Sequence, residues 1–170
     1  GLVLVLIMLI LFFNIKVAFW TAMGIPVSIL MAFLILPKMG GTINFITMMG
    51  IIIVLGMLVD DAIVVAENIF RYREKGLSGK DAAIQGTKEV MLPVIATVLT
   101  TIVAFSPLMA MTGVMGKFMF YMPVVVSLIL LASLIESLFL LPSHMAHIKL
   151  KPAKERKIRP FKALEKYYKA

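Results

Sequence analysis

The feature that most constrains this chain is a succession of apolar runs separated by short polar or glycine- and proline-containing connections, with no lysine or arginine inside any run. Spanning the hydrocarbon core of a bilayer takes about 20 apolar residues, with a range of roughly 17–25. Runs of this kind occupy about residues 1–13, 21–36, 45–69, 91–111 and 118–141, the first being short. The expected fold is therefore an all-α integral membrane protein: a polytopic bundle of about five transmembrane helices over residues 1–148, followed by a basic amphipathic surface segment over 149–170. Composition agrees. The chain is 61% hydrophobic and 15% charged, whereas soluble domains average roughly 45–50% and about 25%. Cysteine is absent, which excludes disulfides, thiol nucleophiles and cysteine-ligated zinc.

The connections carry their own signals. Asn14 to Trp20 reads as a short polar-aromatic link, and Lys38-Met39-Gly40-Gly41 as a turn. The polar stretch from Arg71 to Val90 contains Ser78-Gly79-Lys80-Asp81, which is expected to start a short surface helix leading into the fourth span. The tail places Phe161, Leu164 and Tyr168 at helical spacing among lysines, which suits a helix lying on a membrane surface. A disordered juxtamembrane tail is the alternative. At the other end, Gly1 enters an apolar run with neither a charged leader nor a small-residue cleavage site. A signal peptide fits poorly, and the start reads as a cut through a helix of a longer protein.

Charge placement orients the bundle. With five spans, Lys16, the five basic residues from Arg71 to Lys88 and the nine after His147 fall on one side, and only Lys38 and Lys117 on the other. Lysine and arginine gather on the cytoplasmic side of membrane proteins, so the basic side is expected to be cytoplasmic. The net charge of +8 then reads as attraction to an anionic membrane surface rather than to nucleic acid.

One pair of residues breaks the apolar pattern of the third span. Asp60 and Asp61 lie about ten residues before Arg71, or ~15 Å along a helix, which places them near mid-depth. Each aspartate there costs ~2.5–3.5 kcal/mol on insertion scales, more than packing would justify. Low dielectric and a neighbouring carboxylate favour a protonated acid, and an approaching cation favours its ionised form. Such a pair can carry protons if a cation moves to and from it. A fixed ion pair joining helices is the structural alternative, but no span of this chain supplies the cation.

Other positions support or merely accompany the pair. Gly56, one turn before Asp60, and Gly50 would admit a close helix. Glu67 and Asn68 form either a polar exit from the pair or a helix interface. Thr97, Thr100 and Thr101 in the fourth span either relay hydrogen bonds or, the favoured reading, bond their own helix carbonyls. Glu136 is expected near the end of the fifth span, interfacial or paired. His144 and His147 share a face but are weak evidence for a metal, and no metal site or cofactor is expected. No nucleophile–base set appears, so an enzyme is not expected.

GMLVDDAIVVAENIFR resembles the fourth-transmembrane-helix motif of the resistance–nodulation–division efflux transporters, in their hydrophobe/amphiphile exporter branch. The flanking GTINFITMMGIIIVLG, the stretch KDAAIQGTKEVMLPVIATVLTTIVAFSPLMAMTGVMGKF and PVVVSLILLASLIESLFLLPSHM are similar to the segments around it. The resemblance covers about residues 1–148 and implies helices two to six of the N-terminal half of such a pump. It implies that Asp60 and Asp61 are paired proton-translocating acids, approached by a lysine from the second half of the protomer. It further implies proton/substrate antiport powered by the proton gradient, a bacterial inner-membrane location, a homotrimer, a periplasmic adaptor and an outer-membrane channel. The heavy-metal exporters of the superfamily and its SecD/SecF branch fit less well, because they lack the adjacent acidic pair. Two alternatives stand beside this reading: an oligomeric membrane pore or assembly subunit, and a SecD/SecF-like export accessory.

Overall fold

The computed structural model describes residues 15–148, apart from the side chain of residue 16. The expected span over 1–13 and the basic segment over 149–170 lie outside the described residues. Within them the chain is helical, with no strand. The helices are α1 (Ile15–Ile35), α2 (Phe45–Glu74), α3 (Gly79–Phe105), α4 (Gly113–Met119), α5 (Tyr121–Ile135) and α6 (Leu141–His147). A π-helical segment, Glu136–Leu140, joins α5 to α6 without a break, and 3-10 turns follow α1 and α3. Four helical stretches are long and apolar enough to cross a membrane: Val17–Met39, Phe45–Glu74, Gly79–Ala110 and Gly113–His147. The fold is that of an all-α, multi-pass membrane bundle.

Local chemistry sets the ends of these helices. Asn44 caps α2 by accepting from the amides of Ile46 and Thr47 at 3.0 Å each, and Thr47 Oγ1 accepts from the Asn44 amide at 2.8 Å. This reciprocal arrangement satisfies donors that the first helical turn leaves open. Ser78 caps α3 by accepting from the Asp81 amide. The expected surface helix is the first part of α3, which runs straight on into the span through Pro93. The turn after α1 closes on Gly40, whose φ of 76° is in the left-handed region that glycine enters freely.

Two differences from the sequence expectation have physical causes. Residues 15–20, expected as a connection, are the first turns of α1. Val17 and Ala18 are fully buried there, in a cluster with Ala62, Val65 and Ala66 of α2 and Leu141 of α6. Trp20 stacks on His144 of α6 with ring centroids 3.7 Å apart, an amphipathic aromatic near a span end. In addition, the last span does not stop near Leu141. Pro142 falls just after the π-helical segment, in the first turn of α6, and does not end the helix. The helix therefore continues to His147.

A second apolar cluster fills the opposite half of the bundle, from Ile25, Ala32 and Leu36 of α1 through Val54 and Leu58 of α2 to Val125 and Ile129 of α5. Glycines set several of the close approaches. A Cβ at Gly50 would sit 3.2 Å from the Met122 carbonyl oxygen of α5, and one at Gly86 of α3 would sit 2.7 Å from Ile69 Cα of α2. Small residues of this kind let helix backbones meet in a membrane, where no hydrophobic effect drives helices together. By contrast, much of α3 is open: Met91, Leu92, Leu99 and Val103 are all exposed.

Candidate functional site

The helix α2 is 30 residues long, or ~45 Å at ~1.5 Å per residue, well over the ~30 Å hydrocarbon core. Asp60 and Asp61 fall at its midpoint, far from the Asn44 cap and from the basic residues Arg71 and Arg73. Successive helical positions point about 100° apart, so the two carboxylates address different surroundings. Asp61 is half-buried and faces Thr97 of α3. Asp60 is exposed.

Asp60 belongs to a continuous open stripe along α2. Ile53, Gly56, Met57, Asp60, Val64, Glu67 and Arg71 recur at three- and four-residue spacing, and all are exposed. The opposite side of the same helix carries the buried Val54, Leu58, Ala62, Val65 and Ile69. A Cβ added at Gly56 would meet nothing within 4 Å, so no described helix uses the space that this glycine leaves. Gly50, one and a half turns earlier, is the glycine that admits a neighbour.

The remaining candidates divide between the stripe and the helix contacts. Glu67 is exposed on the stripe, in line with Asp60. Asn68 turns the other way. It is 6% exposed, and its Nδ2 donates to the Gly86 carbonyl at 2.7 Å and to Glu89 Oε2 at 2.9 Å. Glu89 also accepts from Arg71 at 2.9 Å, so α2 and α3 are joined at the basic end by a polar cluster around the Gly86 approach. Thr97 donates to the Val94 carbonyl at 2.9 Å, Thr100 to Ala96 at 2.7 Å and Thr101 to Thr97 at 2.9 Å. Each hydroxyl thus bonds its own helix, and Thr97 also borders Asp61. His144 and His147 bond the Leu140 and Ser143 carbonyls.

Among the described residues, neither Asp60 nor Asp61 has a cation within ion-pair distance; the ion pair formed there is Arg71–Glu89. The fixed-pair alternative therefore has no partner in these helices. The chemistry left to the site is acceptance of a proton or of a cation arriving along the open stripe.

Sequence reasoning missed two features. Glu136 is 6% exposed, sits in the π-helical segment and is not paired with any described residue. The continuation of the helix past Pro142 carries it into the interior of the span. Arg73 is the second. Its Nη2 donates to the carbonyls of Met145 at 3.0 Å and Ile148 at 2.8 Å, fastening the end of α6 to the end of α2. An arginine at the foot of a span signals only an interface, so this use was not readable.

The described residues thus form a helical membrane bundle with adjacent acids at the centre of one span. The chain matches the AcrB/AcrD/AcrF family over residues 1–170 and belongs to it, within the resistance–nodulation–division transporters. Among curated relatives, Multidrug resistance protein MdtC of Photorhabdus laumondii is 34% identical over 142 residues, which is 82% of this chain and 14% of that protein. MdtC of Escherichia coli is 35% identical over the same shares. MdtC of Salmonella arizonae is 38% identical over 135 residues, 79% of this chain and 13% of its own length. The chain thus spans about a seventh of the length of these relatives, and the family resemblance read from the acidic motif is borne out.

Proposed function

We propose that this chain is the transmembrane proton-relay part of a proton-driven multidrug or amphiphile efflux transporter working by proton/substrate antiport. The observation that carries the reading is the adjacent pair Asp60-Asp61 at the midpoint of α2, with Asp60 on a stripe that no described residue covers. The counter-cation is a lysine from the second half of the protomer. Ionised acids hold this lysine; protonation releases it, and the helices shift. Each proton moving inward gains about 2.3 kcal/mol per 100 mV of membrane potential. Gly56 gives the arriving helix room beside Asp60, Glu67 extends the polar path toward the basic end, and Asp61 uses Thr97 as its near neighbour. Thr100 and Thr101 remain support to their own helix.

The basic end is cytoplasmic, in the bacterial inner membrane. The working assembly is a homotrimer with a periplasmic adaptor and an outer-membrane channel, and it uses no cofactor beyond the proton gradient. The names of the MdtC relatives support multidrug transport as the activity class. The test is Asp60→Asn and Asp61→Asn in the full-length transporter, expressed in a pump-deficient host. Each variant is expected to reach the membrane at wild-type level and to lower drug resistance to that of the host without the pump. Resistance retained by both would overturn the relay.

A further inference from the structure

Glu136 lies on a different helical stretch from the acidic pair. It lies 15 residues beyond Tyr121 and 11 before His147 in a continuous helical stretch, or ~16 Å from the nearer end. Gly24, which it touches, is likewise in the middle of α1. The contact is close: a Cβ at Gly24 would overlap Oε2 of Glu136 and lie 2.7 Å from its Cδ. The carboxyl group therefore rests on the α1 backbone in a seat that only glycine leaves open. The carbonyl of Gly24 is itself occupied, accepting from Ser28 Oγ at 2.8 Å.

The seat offers the carboxyl group no partner. Glu136 is 6% exposed and makes no hydrogen bond or ion pair with any described residue. The elements packed against its segment carry few groups that could serve. α1 has no acid, histidine or arginine, and its single lysine is residue 16 in the first turn. α2 brings Asp60, Asp61, Glu67, Arg71, Tyr72, Arg73 and Glu74; α5 brings Tyr121; α6 brings His144 and His147. Arg71 is taken by Glu89, Arg73 by the end of α6, and both histidines by their own helix. An unpaired charge deep in a membrane is expensive and functional by default. Moreover, Glu136 opens the π-helical segment Glu136–Leu140, and π-segments inside α-helices occur frequently at functional sites.

We propose that Glu136 is a second proton-binding site, separate from Asp60-Asp61, formed between the π segment and the Gly24 seat of α1. The neutral acid fits the seat. Loss of the proton leaves a carboxylate against a helix backbone with no cation and no donor, so the ionised form leaves the seat or draws in water. The α1–α5 contact thereby responds to proton occupancy, whereas Asp61 addresses α3. The site rests on the membrane fold and not on the proposed relay.

The test is infrared spectroscopy of the full 170-residue chain in phosphatidylcholine/phosphatidylglycerol nanodiscs, with unlabelled and carboxyl-¹³C-labelled glutamate. At neutral pH the expected signal is the carbonyl stretch of a protonated acid. It shifts with the label, disappears in Glu136→Gln and persists in Asp60→Asn/Asp61→Asn. The described glutamates Glu67, Glu74 and Glu89 are exposed, and Glu136→Gln separates the buried site from them. Gly24→Ala, which crowds the seat, is expected to move the pH midpoint of the band. Circular dichroism confirms helix content in each variant. No label-sensitive protonated band in the wild type, or a band unchanged by Glu136→Gln, would overturn the proposal. Loss of the band in the aspartate double variant would also overturn it, since the site would then be part of the pair.

Discussion

Asn68 holds two helices together with one side chain. Its amide donates to a backbone carbonyl and to Glu89 across the α2–α3 crossing, and it does so where Gly86 brings the backbones close. A leucine would remove both bonds and crowd the approach. Polar contacts between membrane helices average ~0.6 kcal/mol and reach about 1–2 kcal/mol. Asn68→Leu is therefore expected to destabilise the bundle by about 1–2 kcal/mol, read as a lower midpoint of denaturation in mixed detergent micelles. Asn68→Asp, which keeps the size but places a carboxylate beside Glu89, is expected to be at least as damaging. Asn68 also shows why residue roles were only partly legible. It sits next to Glu67 in sequence, and the two face opposite ways: Glu67 lies on the open stripe, Asn68 in a helix contact. With Asp60 fixing the face, helical periodicity separates Glu67 from Asn68, but it cannot say which face meets a neighbour.

At the scale of elements, the spans were legible and their ends were not. Uninterrupted apolarity marks the interior of a membrane helix because the bilayer penalises every charge along it. Nothing comparable marks where α1 begins or where the last helix stops. Lys16 lies inside a helix whose next turn, at Val17 and Ala18, is fully buried, and Pro142 sits where the π segment hands over to α6. The same handover explains the role of Arg73. A helix end leaves its last carbonyls without partners, and the end of α6 receives the Arg73 guanidinium at Met145 and Ile148. Replacing it with alanine removes these charge-assisted bonds. In Arg73→Ala, amide hydrogen exchange across Leu141–His147 is expected to accelerate by roughly tenfold, equivalent to about 1.4 kcal/mol, while α2 and α5 exchange as before. Arg73→Lys should recover only part of the protection, since one ammonium cannot reproduce the fork of a guanidinium.

Across the whole molecule, burial is lopsided. α5 is packed along most of its length, whereas α3 and the Asp60 stripe of α2 present apolar side chains outward. In a membrane such faces meet either lipid or further protein, and apolarity alone does not distinguish them. The acidic pair does, because lipid supplies no cation to Asp60. A chain that spans about 14% of the length of its relatives has ample further protein to cover the stripe in the proposed transporter. The prediction is readable with spin labels, since the chain contains no native cysteine. Labels at Val64→Cys on the stripe and at Leu99→Cys on α3 are expected to be freely accessible to dissolved oxygen when this chain alone is placed in lipid. In the full-length transporter the label at Val64 should lose most of that accessibility, because the helix bearing the relay lysine must lie against the stripe. A Val64 label equally accessible in both preparations would mean that Asp60 faces lipid throughout and would remove the physical basis for the relay.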